Sequence, residues 1–301
     1  MVSTDRTLFG QAMAAASTLP ALLVAADRVA LTVIQGVHGR RRVGQGDSFW
    51  QFRRYQPGDA TSRIDWRQSA KTRAVFVRET EWEAAASVWL WRDASPSMRW
   101  SSRQDLPQKA ERAELALLAL GGLLVNGGER IARLGTGERP MTGRAVLRRL
   151  AATLQLERRH AESDSPSVPR RMPLPAYGHV AWFSDFLAPL DEIESLVRGY
   201  AGMGVFGHLV QVLDPAEEEL PFTGHVRFAG LEGEGTHLVR RVEAVRTAYA
   251  HRLQAQREGL ARIAQASGWT LHHHRTDNPP QTLLLSLYLA MAQPRRVAAG
   301  R

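Results

Sequence analysis

Apolar residues along the chain fall into two alternating textures, short unbroken runs and longer stretches with helical spacing. The runs are Ser87–Trp91, Ile131–Leu134, His179–Phe183, Val205–Leu213 and Trp269–His273, and each reads as a buried strand. Between them, Gln108–Val125 is strongly apolar and stops at Asn126-Gly127-Gly128, while 143–156 sets Val146, Leu147, Leu150 and Leu154 on one face. Further helical patterns cover 189–201, 238–266 and 280–292; the last is apolar nearly all round and predicts packing on the core or on a partner. Sustained alternation of strand and helix predicts an α/β fold built on a doubly wound, mostly parallel sheet.

Upstream the texture changes. Residues 1–35 read as a helical segment, with Ala, Leu and Val recurring from Leu19 to Ile34. From 36 to 83, Gly, Arg and aromatic residues alternate with β-prone pieces, Ser48-Phe49-Trp50 and Ala74-Val75-Phe76-Val77, broken at Pro57-Gly58-Asp59. This predicts a small β-rich unit ahead of a main domain over 84–301. Within the small unit Asp59 and Asp65, with Arg53, Arg54, Arg63 and Arg67, are candidates for a bracing ion-pair network, because no nucleophile or histidine base accompanies them. Residues 160–176 hold Ser, Pro and Arg without periodicity and predict a flexible loop.

Composition narrows the function classes. A length of 301 residues with 44% hydrophobic content suffices for a substantial core. The absence of Cys excludes disulfides, thiolate metal sites and cysteine nucleophiles. The least charged N-terminal run, Gly10–Ala26, is too short and too rich in Ser, Thr and Pro to cross a bilayer, and it lacks the pattern of a secretory signal. Cytoplasmic residence is the default expectation. A formal charge of +9 and a pI near 10.8 raise the question of nucleic acid. The positive charge is almost all Arg, scattered apart from short clusters such as Arg40-Arg41-Arg42 and Arg170-Arg171, which reads as a solvated surface more than a groove.

The chemistry concentrates where the first core run ends. Arg92 is followed by Asp93-Ala94-Ser95-Pro96-Ser97, and a spacing of two brings one carboxylate and two hydroxyls to one side of a tight loop. Hard oxygens of this kind suit Mg²⁺ or Mn²⁺. The run 179–183 leads into Ser184-Asp185, so a second carboxylate follows a second buried strand. Ligands of doubly wound sheets bind beyond the carboxyl ends of the strands, where strand order reverses, so neighbouring strands there bring Asp93 and Asp185 face to face. Helix capping by Ser95, Ser97 and Asp185 is the structural alternative.

Asp93-x-Ser95-x-Ser97 with the distant Ser184-Asp185 resembles the metal-ion-dependent adhesion site of von Willebrand factor A domains. A longer stretch, Phe52–Asp59 through Arg63–Ala70 to Val77-Arg78-Glu79, is similar to the signature of domain of unknown function family 58. The resemblance implies a von Willebrand factor A-like main domain and a threonine ligand before a helix, for which Thr142 is the best-placed candidate and Thr136 a weaker one. It also implies a setting: proteins of this kind are typically encoded beside MoxR-type AAA+ ATPases and act with them as adaptors in protein maturation or assembly, often with membrane helices near their N-termini.

The expected function is therefore recognition. Asp93, Ser95, Ser97, Asp185 and Thr142 hold Mg²⁺ or Mn²⁺, and an acidic residue of a client protein completes the shell. No Gly-x-x-x-x-Gly-Lys-Ser/Thr, His-Glu-x-x-His or Gly-x-Ser-x-Gly pattern is present. The enzymatic alternative is a metal-dependent phosphohydrolase with Asp93 as nucleophile, although Ser95 stands where that chemistry usually wants an acid/base. A basic nucleic-acid-binding protein is the third reading. His272-His273-His274 lies on a strand, whose alternating faces prevent convergence of the three on one ion.

Overall fold

A computed structural model describes residues 23, 25–34, 49–55, 64–72, 74–80, 85–159, 165–233 and 235–292. The chain divides into two compact units, Val37–Ala85 and a larger one formed by Met1–Gly36 with Ala86–Arg301.

In the small unit, β1 (Phe49–Arg54) pairs antiparallel with β2 (Phe76–Thr80). Helix α2 (Trp66–Ser69) precedes β2 and is started by Asp65, whose Oδ1 accepts the Gln68 N–H at 2.9 Å. The Ser69 hydroxyl donates to the Asp65 carbonyl at 2.7 Å and accepts the Phe76 N–H at 2.9 Å, tying the helix to the strand. Asp65 is thus a helix cap. Asp59 and Arg63 of the expected ion-pair network lie outside the described residues.

The larger unit is built on five parallel strands in the order β4 (Arg130–Arg133), β3 (Ser87–Arg92), β5 (His179–Ser184), β6 (Phe206–Leu213) and β9 (Thr270–Arg275). The first strand in sequence, β3, has the second on one side and the third on the other, so strand order reverses between β3 and β5. Helix α3 (Lys109–Asn126) touches α4 (Arg144–Arg159) and α8 (Pro280–Ala292), while α5 (Leu190–Gly202) packs with α7 (Val242–Ala266). The helix over 25–34, α1, reaches α3, where a Cβ on Gly122 would lie 3.8 Å from the Asp27 carboxylate. A doubly wound α/β fold is what the alternation predicted.

Alternation along each strand sorts the core. Trp89, Trp91, Val180, Trp182 and Leu209 join Ile193 and Val197 of α5 and Leu260 and Ile263 of α7 in one buried cluster. Trp91 meets Trp182 edge to face, with ring centroids 5.6 Å apart. Gly207 of β6 is needed at this level, because a Cβ there would stand 1.9 Å from the Trp269 ring. Residues 165–176 hold neither helix nor strand, yet Leu174 is buried and Val168 and Met172 pack on the same cluster. Among the described residues no helix is long and apolar enough to cross a membrane.

Two boundaries differ from expectation. The long helix predicted over 238–266 begins at Val242, and Leu238 belongs instead to a hairpin, β7 (Val226–Ala229) with β8 (Thr236–Val239). Both strands have only four residues, and in β8 Thr236, His237 and Leu238 are all exposed, so neither is long enough for its periodicity to stand out. The acidic turn Glu217-Glu218-Glu219 is the short helix α6 (Pro215–Glu219), begun by an Asp214–Glu217 capping box.

Candidate functional site

The reversal point carries the site. Strands β3 and β5 pair in register through Arg92 and Phe183, so the loops that follow leave the sheet side by side. The Asp93 N–H is still bound to the Phe183 carbonyl at 2.8 Å, which fixes the start of the Asp93–Ser97 loop against β5. A 3₁₀ turn, Pro96–Arg99, then carries the chain away.

Hydrogen bonds link the loops in one continuous path. Ser184 donates to Asp93 Oδ2 at 2.6 Å, and the Ser95 N–H donates to Asp93 Oδ1 at 2.7 Å. Ser97 donates its hydroxyl to Asp185 Oδ2 at 2.7 Å. Because that hydroxyl has a single proton, the 3.0 Å contact between Ser95 and Ser97 is made by Ser95 donating to Ser97. Asp185 Oδ1 takes the Leu187 N–H at 3.2 Å, and its backbone carbonyl accepts from Gln211 at 3.1 Å. Asp93, Ser95, Ser184 and Asp185 are each no more than 1% exposed. Burial first, and then the charge of Asp185, push the Asp93 carboxyl up to about 7 against the opposing bonds from Ser184 and Ser95.

Lys109, the first residue of α3, is fully buried and donates to Asp185 Oδ2 at 2.9 Å and to Glu217 Oε1. Burial works against its charge, but Asp185 and Glu217 together raise the ammonium above its ordinary value. Burial pushes the Glu217 carboxyl up, opposed mainly by Lys109. Sequence reading missed both partners. The signals were present: a Lys opening a helix that is mostly apolar beyond its first two turns, and a carboxylate just past the end of a buried strand.

Thr142 is not brought to this group. The bridge between Ile131 and Met141 is antiparallel, so the chain turns back along β4 and leaves the exposed Thr142 level with Arg130. Arg130 pairs with Ser87 at the start of β3, six residues before Asp93, which places Thr142 about 20 Å from the strand ends. Thr136 does lie just past the end of β4, but its hydroxyl donates to the Arg133 carbonyl at 3.1 Å. Four of the expected ligands therefore converge and the threonine does not.

The four are oxygen donors of the kind hard cations take. Each carboxylate oxygen of Asp93 accepts one protein hydrogen bond and keeps further acceptor capacity, as do both serine hydroxyls. Among the described residues no three His, Asp or Glu side chains make a metal-holding cluster by themselves, so the hydroxyls are essential to any such set. On β9, His272 bonds Ser286 of α8 while His273 bonds Gln211 of β6, on opposite faces.

Comparison with known proteins gives a consistent family and no activity. Uncharacterized proteins of Mycobacterium bovis and Mycobacterium tuberculosis are each 27% identical over 262 residues, covering 81% of this chain and 80% of theirs. A crystal structure of a conserved hypothetical protein BatB from Bacteroides thetaiotaomicron aligns over 69% of this chain and 99% of its own, at 14% identity and a TM-score of 0.39. An uncharacterized membrane spanning protein from Vibrio fischeri aligns over 69% of this chain and 98% of its own, at 14% identity and a TM-score of 0.18. The family model described as protein of unknown function DUF58 matches residues 51–259, across both units, and the chain belongs to that family.

Proposed function

We propose that this protein is a non-enzymatic, divalent-cation-dependent binding module, in which Asp93, Ser95, Ser97 and Asp185 hold Mg²⁺ or Mn²⁺ and an acidic side chain of a partner completes the shell. The observation that carries this reading is the 2.7 Å bond from Ser97 to Asp185, which joins the motif loop to a carboxylate 88 residues away. Charge supports it too: Lys109 is shared between Asp185 and Glu217, while Asp93 lies buried beside Asp185, so that burial and then the charge of Asp185 raise its carboxyl, and a cation between Asp93 and Asp185 relieves that repulsion. When bound, the ion supplies a Lewis-acidic point of attachment for a carboxylate. The chain's own residues orient it, with Lys109 and Leu187 holding Asp185 and with Ser184 holding Asp93. By the family resemblance, the partner is a MoxR-type AAA+ ATPase or a client protein delivered to it, with the module acting as an adaptor in maturation or assembly.

A phosphohydrolase with Asp93 as nucleophile is supported less well. Asp93 is buried out of reach of a phosphate ester, and Ser95 stands where that chemistry wants an acid/base. The deciding experiment is thermal unfolding of the full chain against Mg²⁺ and Mn²⁺, with EDTA controls, for wild type and Asp93→Asn. A ligand that binds only the native state raises the midpoint. The reading requires a rise in the wild type that is lost in the variant, and an unchanged wild-type midpoint at millimolar metal overturns it.

A further inference from the structure

The β7–β8 hairpin is an addition to the sheet. It interrupts the connection from β6 to α7, and its two strands pair with each other outside the five-stranded sheet. Such an isolated pair is marginally stable by itself. Its base is well tied: the Val242 N–H bonds the Gly224 carbonyl at 3.2 Å, the Gly224 N–H bonds Glu243 at 2.8 Å, and Arg246 donates to the carbonyls of Leu220 and Phe222. The far end closes with the Gly230 N–H on the Gly235 carbonyl at 2.7 Å, and Gly233 and Gly235 adopt positive φ of 93° and 83° that a larger residue resists. The shape of the tip is thus set by the backbone.

That tip carries Glu232 to the motif loop. Glu232 Oε1 accepts the Ser97 N–H at 3.4 Å, across 135 residues of sequence. Ser97 is the residue whose hydroxyl joins Asp185, so a carboxylate from the same chain rests against the proposed cation site from outside the sheet. The bond to Ser97 is long and Glu232 is exposed, so a carboxylate arriving from solvent can reach the same position. An outlay of chain that leaves Leu231 and Leu238 exposed, at 48% and 66%, is explained if the hairpin serves this contact.

We infer that Glu232 is an internal competitor for the site: its carboxylate takes the open coordination position of the bound cation when no partner is present and yields it to a partner's acidic side chain. This rests on the proposed cation site. It makes the hairpin a regulatory strap, and it defines the partner as a segment presenting a carboxylate in an environment that outbids an intramolecular one.

Mn²⁺ titration of the full chain followed by water-proton relaxation reads both affinity and the number of exchangeable waters on the ion. Glu232→Gln, nearly isosteric and exposed, is expected to weaken Mn²⁺ binding about tenfold through loss of one charged ligand and to add about one exchangeable water. Asp93→Asn is expected to abolish binding. Equal affinity and hydration in wild type and Glu232→Gln, with binding still lost in Asp93→Asn, overturns the strap and leaves the site standing. No Mn²⁺ binding by the wild type overturns both.

Discussion

Lys109 and Asp185, 76 residues apart, form a fully buried ion pair of 2.9 Å at the point where the strand order reverses. The same ammonium reaches Glu217, so one charge joins the start of α3, the end of β5 and α6. Burying an ion pair gains little net energy, whereas removing one member leaves an uncompensated charge.

Lys109→Met is therefore expected to destabilise the protein by about 3–5 kcal/mol in urea titration, because Asp185 and Glu217 are left facing each other. Adding Glu217→Gln to Lys109→Met is expected to recover part of that loss. If the single variant unfolds at the wild-type midpoint, the ion pair has no role in stability.

Ser97→Ala removes the donor to Asp185 and the acceptor for Ser95 together. The expected loss is about 1–3 kcal/mol, the cost of leaving buried polar groups short of partners. A cycle with Asp185→Asn isolates the pair: direct contact requires a coupling of about 0.5–3 kcal/mol, and additive effects contradict it.

Much of this architecture was legible in the sequence. Buried strands with both faces covered are continuous apolar runs, so β3, β5 and β6 and the carboxylates after two of them could be read directly. Juxtaposition was less accessible. The approach of Asp93 to Asp185 needed only the reversal of strand order, which a general rule supplies. The approach of Lys109, Glu217 and Glu232 depends on where two separate connections return, the one from β3 into α3 and the long one from β6 to α7, and no local pattern encodes that. Thr142 failed for a related reason: a helix-preceding threonine looks the same in sequence whether the chain runs on past the sheet or turns back along its edge, as the Met141 bridge makes it do.

Gly207 offers a test of packing away from the site. Trp269 covers its Cα so closely that a Cβ would overlap the ring at 1.9–2.2 Å, and Trp269 is held in place by its indole N–H on the Val205 carbonyl at 3.1 Å. With backbone on one side and a buried ring on the other, neither neighbour can give way cheaply. Gly207→Ala is expected to cost about 3 kcal/mol or more, at the upper end for overpacked cores, with a change in tryptophan fluorescence as the ring is displaced. A variant as stable as the wild type means that the ring does not lie against Gly207 in solution.

His272 and His274 share one face of β9, and burial holds both imidazoles down at about 4. His272 donates from Nδ1 to Ser286, because the Ser286 hydroxyl is itself committed to the Leu283 carbonyl, and its Nε2 then accepts from Thr270. A proton on Nε2 destroys that arrangement, with His273 adding repulsion. His274 is flanked by Arg112, which opposes its protonation, and by Asp277, which favours it less strongly. The unfolded chain takes up these protons near pH 6.5 and the folded chain only near pH 4, so the unfolded state binds more protons in between. The contribution of these two histidines is full above about pH 6.5, falls as the pH drops toward 4, and levels off below it, by at most on the order of 3 kcal/mol per histidine, while the buried carboxyls of Asp93, Glu114 and Glu217, all raised, contribute in the opposite sense. In urea titrations between pH 7.5 and 4, acidification is expected to cost the wild type more stability than the His272→Asn/His274→Asn variant, so that the gap between the two proteins changes steadily across this range. Because α8 is held to β9 partly through the His272–Ser286 bond, amide exchange in α8 is expected to rise first as the pH falls. Equal slopes in the two proteins remove the histidines as the cause of any acid sensitivity.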